Sequence, residues 1–244
     1  MKILAFDSTA RAASVAITDD DRLLALYNTD NGLTHSELLL PMAEDALRST
    51  RLGFDDIEAY ATSVGPGSFT GVRIGAALVK GLSFGRDIPC IGVSALEALA
   101  ENLAGLCGIA VPVMDARRAQ VYTAIFRLED GKITRLTEDM AIPISELAER
   151  LRAFSGEKIY LSGDGYGLTR TTLDKLGVKV ESTPALLISE NAYSVARVAL
   201  RKINAGVRTS DSELSPTYLR IPQAERERLE RLERDAAAKS TGNK

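Results

Sequence analysis

Histidine occurs once in the 244 residues, at His35. A Ser-His-Asp or Cys-His mechanism needs an imidazole beside a matching nucleophile motif, and His35 stands at a helix start without one. A peptidase of that type is not expected. A zinc site is nearly excluded too, since the usual ligand set is missing. The two cysteines, Cys90 and Cys107, lie in apolar company without CxxC spacing and read as reduced core residues. No P-loop string occurs. Positive charge is not in excess: 30 Lys and Arg against 33 Asp and Glu leave a net charge of −3. That field is too weak to hold RNA or DNA by counterion release, so tRNA binding by this chain alone is not expected. No apolar run is long enough to span a membrane. The start meets Asp7 too early for a signal peptide, so the expected compartment is the cytoplasm.

What is present is a globular composition, 45% apolar and 26% charged, with a length that suits one large domain or two small lobes. The organising stretch is Gly65-Pro66-Gly67-Ser68-Phe69-Thr70-Gly71-Val72-Arg73-Ile74-Gly75. It follows an apolar run, Ala59 to Val64, that reads as a buried strand. It opens a helix over residues 71–84, with Ser68 placed to cap it. A strand, a glycine turn and a helix N-terminus suit an anion, because unpaired N–H groups and the helix dipole point the same way. A tight turn without a ligand gives the same string. Gly65, Gly67, Ser68 and Arg73 are therefore candidate binding residues. Asp7 joins them, because it ends the first strand, where α/β folds place ligand contacts; a turn aspartate is the alternative.

Along the chain, strands are expected over 2–8, 12–18 and 23–28, then a helix over 34–51 whose Thr34 and Glu37 match a capping box. A strand at 56–64, the glycine turn and the 71–84 helix follow. Short elements come next, a strand at 89–94 and a helix at 95–103. The pattern then restarts: strands at 109–114, 121–128 and 133–141, a helix at 145–154 capped by Ser145, a strand at 158–162 and a helix at 168–176. A short strand at 178–181 and a final helix at 189–205, stopped by Gly206, complete the lobe. The order strand-strand-strand-helix-strand-helix thus occurs twice, which predicts two similar lobes, 1–105 and 106–220, each a mixed sheet with helices. The final helix could pack back on the first lobe. Residues 221–244 read as a charged tail, helical over 223–235 through Glu–Arg pairs.

Two helices carry apolar residues around more than one stripe. In the first, Leu39, Met42, Ala43 and Ala46 form one face, with Leu40 and Leu47 extending to another. In the second, Val72, Ala76 and Val79 lie beside a face of Gly71, Gly75, Leu78 and Leu82. Such helices are either deeply buried or packed on their own sheet and on a partner as well.

Leu4-Ala5-Phe6-Asp7-Ser8-Thr9, His35-Ser36-Glu37 and the string around Gly65 closely resemble the TsaB family. Met114-Asp115-Ala116-Arg117-Arg118, Gly163-Asp164-Gly165 and Pro216-Thr217-Tyr218-Leu219-Arg220 continue the match. TsaB is the accessory subunit of the bacterial machinery for N6-threonylcarbamoyladenosine in tRNA. The resemblance implies a two-lobed actin/Hsp70/sugar-kinase-like (ASKHA) α/β fold. It also implies a non-catalytic scaffold for a paralogous catalytic subunit, TsaD, with a TsaE-type ATPase completing the complex. The sister's His-x-x-x-His metal motif falls on Ala95 and Leu99, which cannot bind a metal. Its Ser-Gly-Gly-His phosphate loop falls on Asp115-Ala116-Arg117-Arg118, where two glycines are gone and Asp115 would repel an anion. No metal or cofactor is therefore expected within the chain, with a nucleotide at a subunit interface left open. The expected docking surface is Leu39, Met42, Ala43, Ala46 and Leu47 with Val72, Ala76 and Val79. The same surface would give a homodimer when the sister is absent. The alternative is a stand-alone ATP-dependent kinase of the sugar-kinase class, with Asp7 as base.

Overall fold

The computed structural model describes residues 1–220; the expected 223–235 helix lies outside the described residues. The chain opens with an antiparallel meander, β1 (Lys2–Asp7), β2 (Ala13–Asp19) and β3 (Arg22–Thr29). Helix α1 (His35–Thr50), strand β4 (Ala59–Ser63), helix α2 (Phe69–Ser83), strand β5 (Cys90–Val93) and helix α3 (Ala95–Glu101) follow. The first sheet has the order β3-β2-β1-β4-β5, with β4 parallel to both β1 and β5. Side chains alternate along β1. Leu4 and Phe6 face α1 and α2, while Ile3 and Ala5 face the opposite side. All four are fully buried, and each large one contributes about 1.5–3 kcal/mol to folding. A parallel strand covered on both faces needs this continuous apolar run.

The second lobe repeats the order. Strand β6 (Gly108–Asp115) leads to β7 (Gln120–Thr123), β8 (Phe126–Glu129), β9 (Lys132–Arg135) and β10 (Met140–Pro143). Helix α4 (Ile144–Leu151), strand β11 (Ile159–Ser162) and helix α5 (Tyr166–Lys175) complete it. The doubled arrangement is the ASKHA-like fold that the resemblance implies. Each of the strands expected at 121–128 and 133–141 is split in two. Both β7 and β8 pair antiparallel with β6, on either side of a gap at Ala124 and Ile125. Pro112, on the facing stretch of β6, has no N–H to offer there. Ile125 N–H turns instead to Thr137 Oγ1 at 2.9 Å. The returning chain divides accordingly, β9 joining β8 and β10 joining β7. Ser145 is not the cap of α4, whose N-cap is Pro143. Residues 178–181 form no strand, although Glu181 N–H reaches Ile159 O at 2.8 Å.

The last helix, α6 (Ala192–Asn204), lies on the first lobe, packing Val195, Ala196, Val198 and Ala199 against the Ile3–Ala5 face of the sheet. Buried Glu101 at the end of α3 accepts from Arg197 at 2.7 Å and Arg201 at 2.6 Å, tying α3 to α6. Gly206 ends the α6 region at φ +89°, in the left-handed region glycine favours. Among the described residues no helix is long and apolar enough to cross a membrane.

The docking residues expected from the sequence are corrected by the packing. Leu39, Met42, Ala43, Ala46 and Leu47 of α1, and Val72, Ala76 and Val79 of α2, are each at most 9% exposed within the chain. They are the stripe by which the two helices lie on their own lobe, so they cannot also meet a partner. Periodicity shows that a helix has apolar faces and not which one the sheet takes.

Glu190 sits at the junction of the lobes. Its carbonyl accepts from Asn28 Nδ2 at 3.0 Å, on β3. Its side chain is 3% exposed, and Oε1 has no partner among the described residues. Burial, then the charges of Asp7 and Asp164, push its pKa up to about 8. The carboxyl is therefore neutral near pH 7, which lowers the cost of its burial. A raised folded pKa means that the folded chain holds the proton longer than the unfolded one, whose value is near 4.5. The stabilisation is complete below that value and is lost as pH rises through about 8. Melting temperature should accordingly fall across that window, and Glu190→Gln should flatten the fall and raise Tm at its alkaline end. A pH series of thermal melts on both proteins checks this.

Candidate functional site

The glycine turn is pressed against the loop that follows β1. Ser68 N–H donates to Thr9 O at 2.7 Å, and Ser8 Oγ donates to Gly71 O at 2.9 Å. A Cβ on Gly67 or Gly71 would collide with the backbone carbonyls of Thr9 and Ser8. One on Gly75 would come within 2.7 Å of Ser8 Oγ and 2.8 Å of Thr62 Oγ1. Gly65 faces Thr217 O in the same way, at 2.6 Å. These glycines let a helix and two loops approach closely, and that approach accounts for them without a phosphate. Ser68 caps α2, its Oγ accepting from Gly71 N–H at 3.2 Å.

Asp7 is likewise turned inward. Oδ1 accepts from Thr9 N–H at 2.9 Å and Thr9 Oγ1 at 2.6 Å, and Oδ2 accepts from Ser63 Oγ at 2.6 Å. The residue is 1% exposed. Burial raises its pKa, and the Ser63 and Thr9 bonds oppose that rise. Asp7 clamps the ends of β1 and β4 together and presents no open oxygen to a ligand. Arg73 points elsewhere again. Its Nε donates to Tyr218 Oη at 2.8 Å, and its guanidinium lies 3.8 Å from the Phe69 ring centroid. The five candidates thus do not converge on one binding point.

A cleft does exist between the lobes. It encloses about 420 Å³ and is lined by Thr9–Arg11, Pro66–Phe69, Met114–Arg118, Tyr122, Asp164 and Thr217–Arg220. One wall is a strap. After α6 the chain returns over the first lobe, where Cys90 N–H donates to Thr209 O at 2.8 Å and Thr217 N–H to Val64 O at 2.7 Å. It then reaches the second lobe, where Arg220 Nη1 donates to Ala116 O at 2.8 Å and Nη2 to Gln120 Oε1. The opposite wall is the β6–β7 hairpin. Arg117, Arg118 and Ala119 hold φ of +64°, +56° and +55° in succession. Each costs about 1–2 kcal/mol for a residue with a Cβ. Asp115 does not project its charge freely, because Oδ1 accepts from Arg117 N–H at 2.7 Å and Oδ2 from Arg117 Nη1 at 3.1 Å. Asp164 accepts from Asp115 N–H at 2.9 Å, and burial then Asp115's charge raise its pKa.

Nothing local in the sequence marks the left-handed backbone at 117–119 or the burial of Glu190, while the extended string 216–220 marks the strap. Where the resemblance places the sister's metal motif, Ala95 and Leu99 are both buried in an apolar cluster with Leu103 and Phe126. Among the described residues no group of three or more His, Cys, Asp or Glu could hold a metal ion.

The close approach of α2 to the end of β1 sets an expectation. Gly71→Ala should destabilise the fold by more than about 3 kcal/mol, because the collision is with backbone. Gly81→Ala, on the open side of the same helix, should stabilise by about 0.5–1 kcal/mol. Urea unfolding midpoints measure both.

Comparison with known proteins agrees with this architecture. A family model described as TsaD, tRNA N6-adenosine threonylcarbamoyltransferase, matches residues 31–228. The tRNA threonylcarbamoyladenosine biosynthesis protein TsaB of Bacillus subtilis is 31% identical over 230 residues, covering 94% of this chain and 99% of the relative. The Escherichia coli protein of the same name is 31% identical over 90% of this chain and 95% of its own length. YeaZ from Pseudomonas aeruginosa superposes with a TM-score of 0.74 at 26% identity, covering 89% of this chain and 99% of its own. A second structure from that organism, described as similar to peptidase YeaZ, reaches 0.77 at 25% identity over 90% and 99%. The chain belongs to the TsaB family of tRNA threonylcarbamoyladenosine biosynthesis proteins.

Proposed function

We propose that the chain is a non-catalytic scaffold that binds and activates a TsaD-type catalytic subunit for threonylcarbamoyl transfer to adenosine in tRNA. A TsaE-type ATPase acts through the same complex, in the cytoplasm, and tRNA is held by the complex rather than by this chain. The reading is supported by the match to the TsaD family model together with apolar packing of Ala95 and Leu99 where the sister's imidazoles would stand. The kinase alternative needs Asp7 as a base, and both its oxygens are engaged by Thr9 and Ser63.

The observation that carries the docking proposal is the outer side of α2. Ala77 and Gly81 are exposed there, between half-buried Ile74, Leu78 and Leu82. Phe84 follows at 80% exposed. On α1, packed beside α2, Leu40 is 39% exposed. Small residues one turn apart let a facing helix come close, and the larger neighbours supply the apolar area. A paralogue with the same fold would bring a matching helix pair, and a standard interface of roughly 1,600 Å² gives firm association. Without the sister, the same face would join two copies of the chain.

Ala77→Arg should abolish copurification with the TsaD-type subunit while leaving Tm near that of the unaltered chain. Ala46→Arg or Ala76→Arg should instead unfold the first lobe, since each buries an unpaired charge at a cost of about 3–5 kcal/mol. Copurification and melting curves of the three variants separate surface from core. Full recovery of the complex with Ala77→Arg would place docking elsewhere.

A further inference from the structure

The outer strands of the two sheets are protected unequally. Strand β5 ends the first sheet on one side, and its outer groups are engaged. Cys90 N–H donates to Thr209 O at 2.8 Å, and Gly92 O accepts from Lys202 Nζ at 2.8 Å. In the second lobe β11 is met by the chain after α5, where Glu181 N–H reaches Ile159 O and Thr183 Oγ1 donates to Leu161 O, both at 2.8 Å. Strands β9 and β10 have four residues each; Lys132 and Arg135 bracket the first, and Pro143 ends the second. Short length, charge and proline are ordinary means of discouraging a further strand. Strand β3, at the other end of the first sheet, has none of them. It runs for eight residues, and Leu23 to Thr29 contains neither charge nor proline. Among the described residues its backbone bonds only to β2, so its outer N–H and C=O groups are left to solvent. Leu23 and Leu26 stand exposed beside them.

We propose that β3 pairs antiparallel with β3 of a second copy of this chain, joining the two five-stranded sheets edge to edge about a twofold axis. Charges at the strand ends select both the occupant and the register. Arg22 opens the strand and Asp30 follows it. With Leu26 opposite Leu26 of the second copy, Arg22 falls opposite Asp30, and symmetry makes that pair twice. Ala25 then faces Tyr27, and Leu24 faces Asn28. Arg11, which lies on Asp30 at 3.2 Å, is carried toward the acidic turn Asp19-Asp20-Asp21 of the other copy. A slip of one residue sets Arg22 against Thr29 or Asn31 and loses both ion pairs. The contact of Arg22 with Asp19 inside one copy, at 3.6 Å, is solvated and worth little, so it does not hold the side chain back. Twofold pairing closes on itself and leaves no edge for a third copy. Helix α2 lies over β4, three places along the sheet from β3, so the proposal does not rest on the docking reading.

The test is sedimentation of the intact chain carrying Ala77→Arg, which closes the α2 face to self-association. It should pass from monomer to dimer with Kd between about 1 and 100 μM, as suits a small interface. Leu26→Glu sets two carboxylates face to face across the axis. It should weaken the dimer about tenfold or more with Tm unchanged. In the chain without Ala77→Arg, Leu26→Glu should leave copurification with the TsaD-type subunit intact, so the two readings fail independently. Arg22→Asp should also weaken the dimer, and Arg22→Asp with Asp30→Arg should restore it. That rescue arises only across the axis, because within one copy the new charges meet their like on Asp19 and Arg11. In hydrogen exchange, the amides of residues 23–29 should slow as concentration rises through Kd. Full affinity in Leu26→Glu, or a dimer whose 23–29 amides exchange as fast as the monomer's, overturns the proposal. So does a chain still monomeric at about 1 mM, which would leave the edge to an extended segment of another protein.

Discussion

Everything in the first lobe depends on how closely the start of α2 approaches the end of β1. Backbone meets backbone there, with Gly67 against Thr9 O and Gly71 against Ser8 O. Hydrogen bonds from Ser68 N–H and Ser8 Oγ close the contact. No side chain fits between them, so four glycines occupy the eleven residues 65–75, and the two inside α2, Gly71 and Gly75, carry a cost in helix propensity. The same approach leaves Asp7 enclosed by Thr9 and Ser63 and unable to reach the cleft.

The doubled order of elements was legible because it rests on strong local signals. Apolar runs bounded by polar turns marked the strands, and Ser68 and Gly206 marked helix ends that the structure reproduces. The TsaB resemblance was legible from the string around Gly65, and the relatives bear it out. Which side of α1 and α2 faces the sheet was not legible. Leu39 and Leu40 are adjacent and equally apolar, yet one is 1% and the other 39% exposed. Only the position of the sheet distinguishes them.

Other features needed three dimensions for a different reason. Pro112 breaks a strand that it faces and does not belong to. Glu190 reads locally as an acidic residue near a helix start, and its burial comes from both lobes closing over it. Arg117 and Arg118 looked like two charges beside a repelling aspartate. The structure turns that aspartate onto Arg117, which alters the electrostatic character of the loop. Long-range partners decided each of these cases, and a single sequence does not display them.

The strap has a mechanical consequence. Thr217 is fastened to Val64 in one lobe and Arg220 to Ala116 in the other, with only two residues between. So short a tether allows little play. A scissor-like parting of the halves must therefore detach one fastening, and whatever engages the hairpin beside Arg220 bears on the stiffness of the entire molecule.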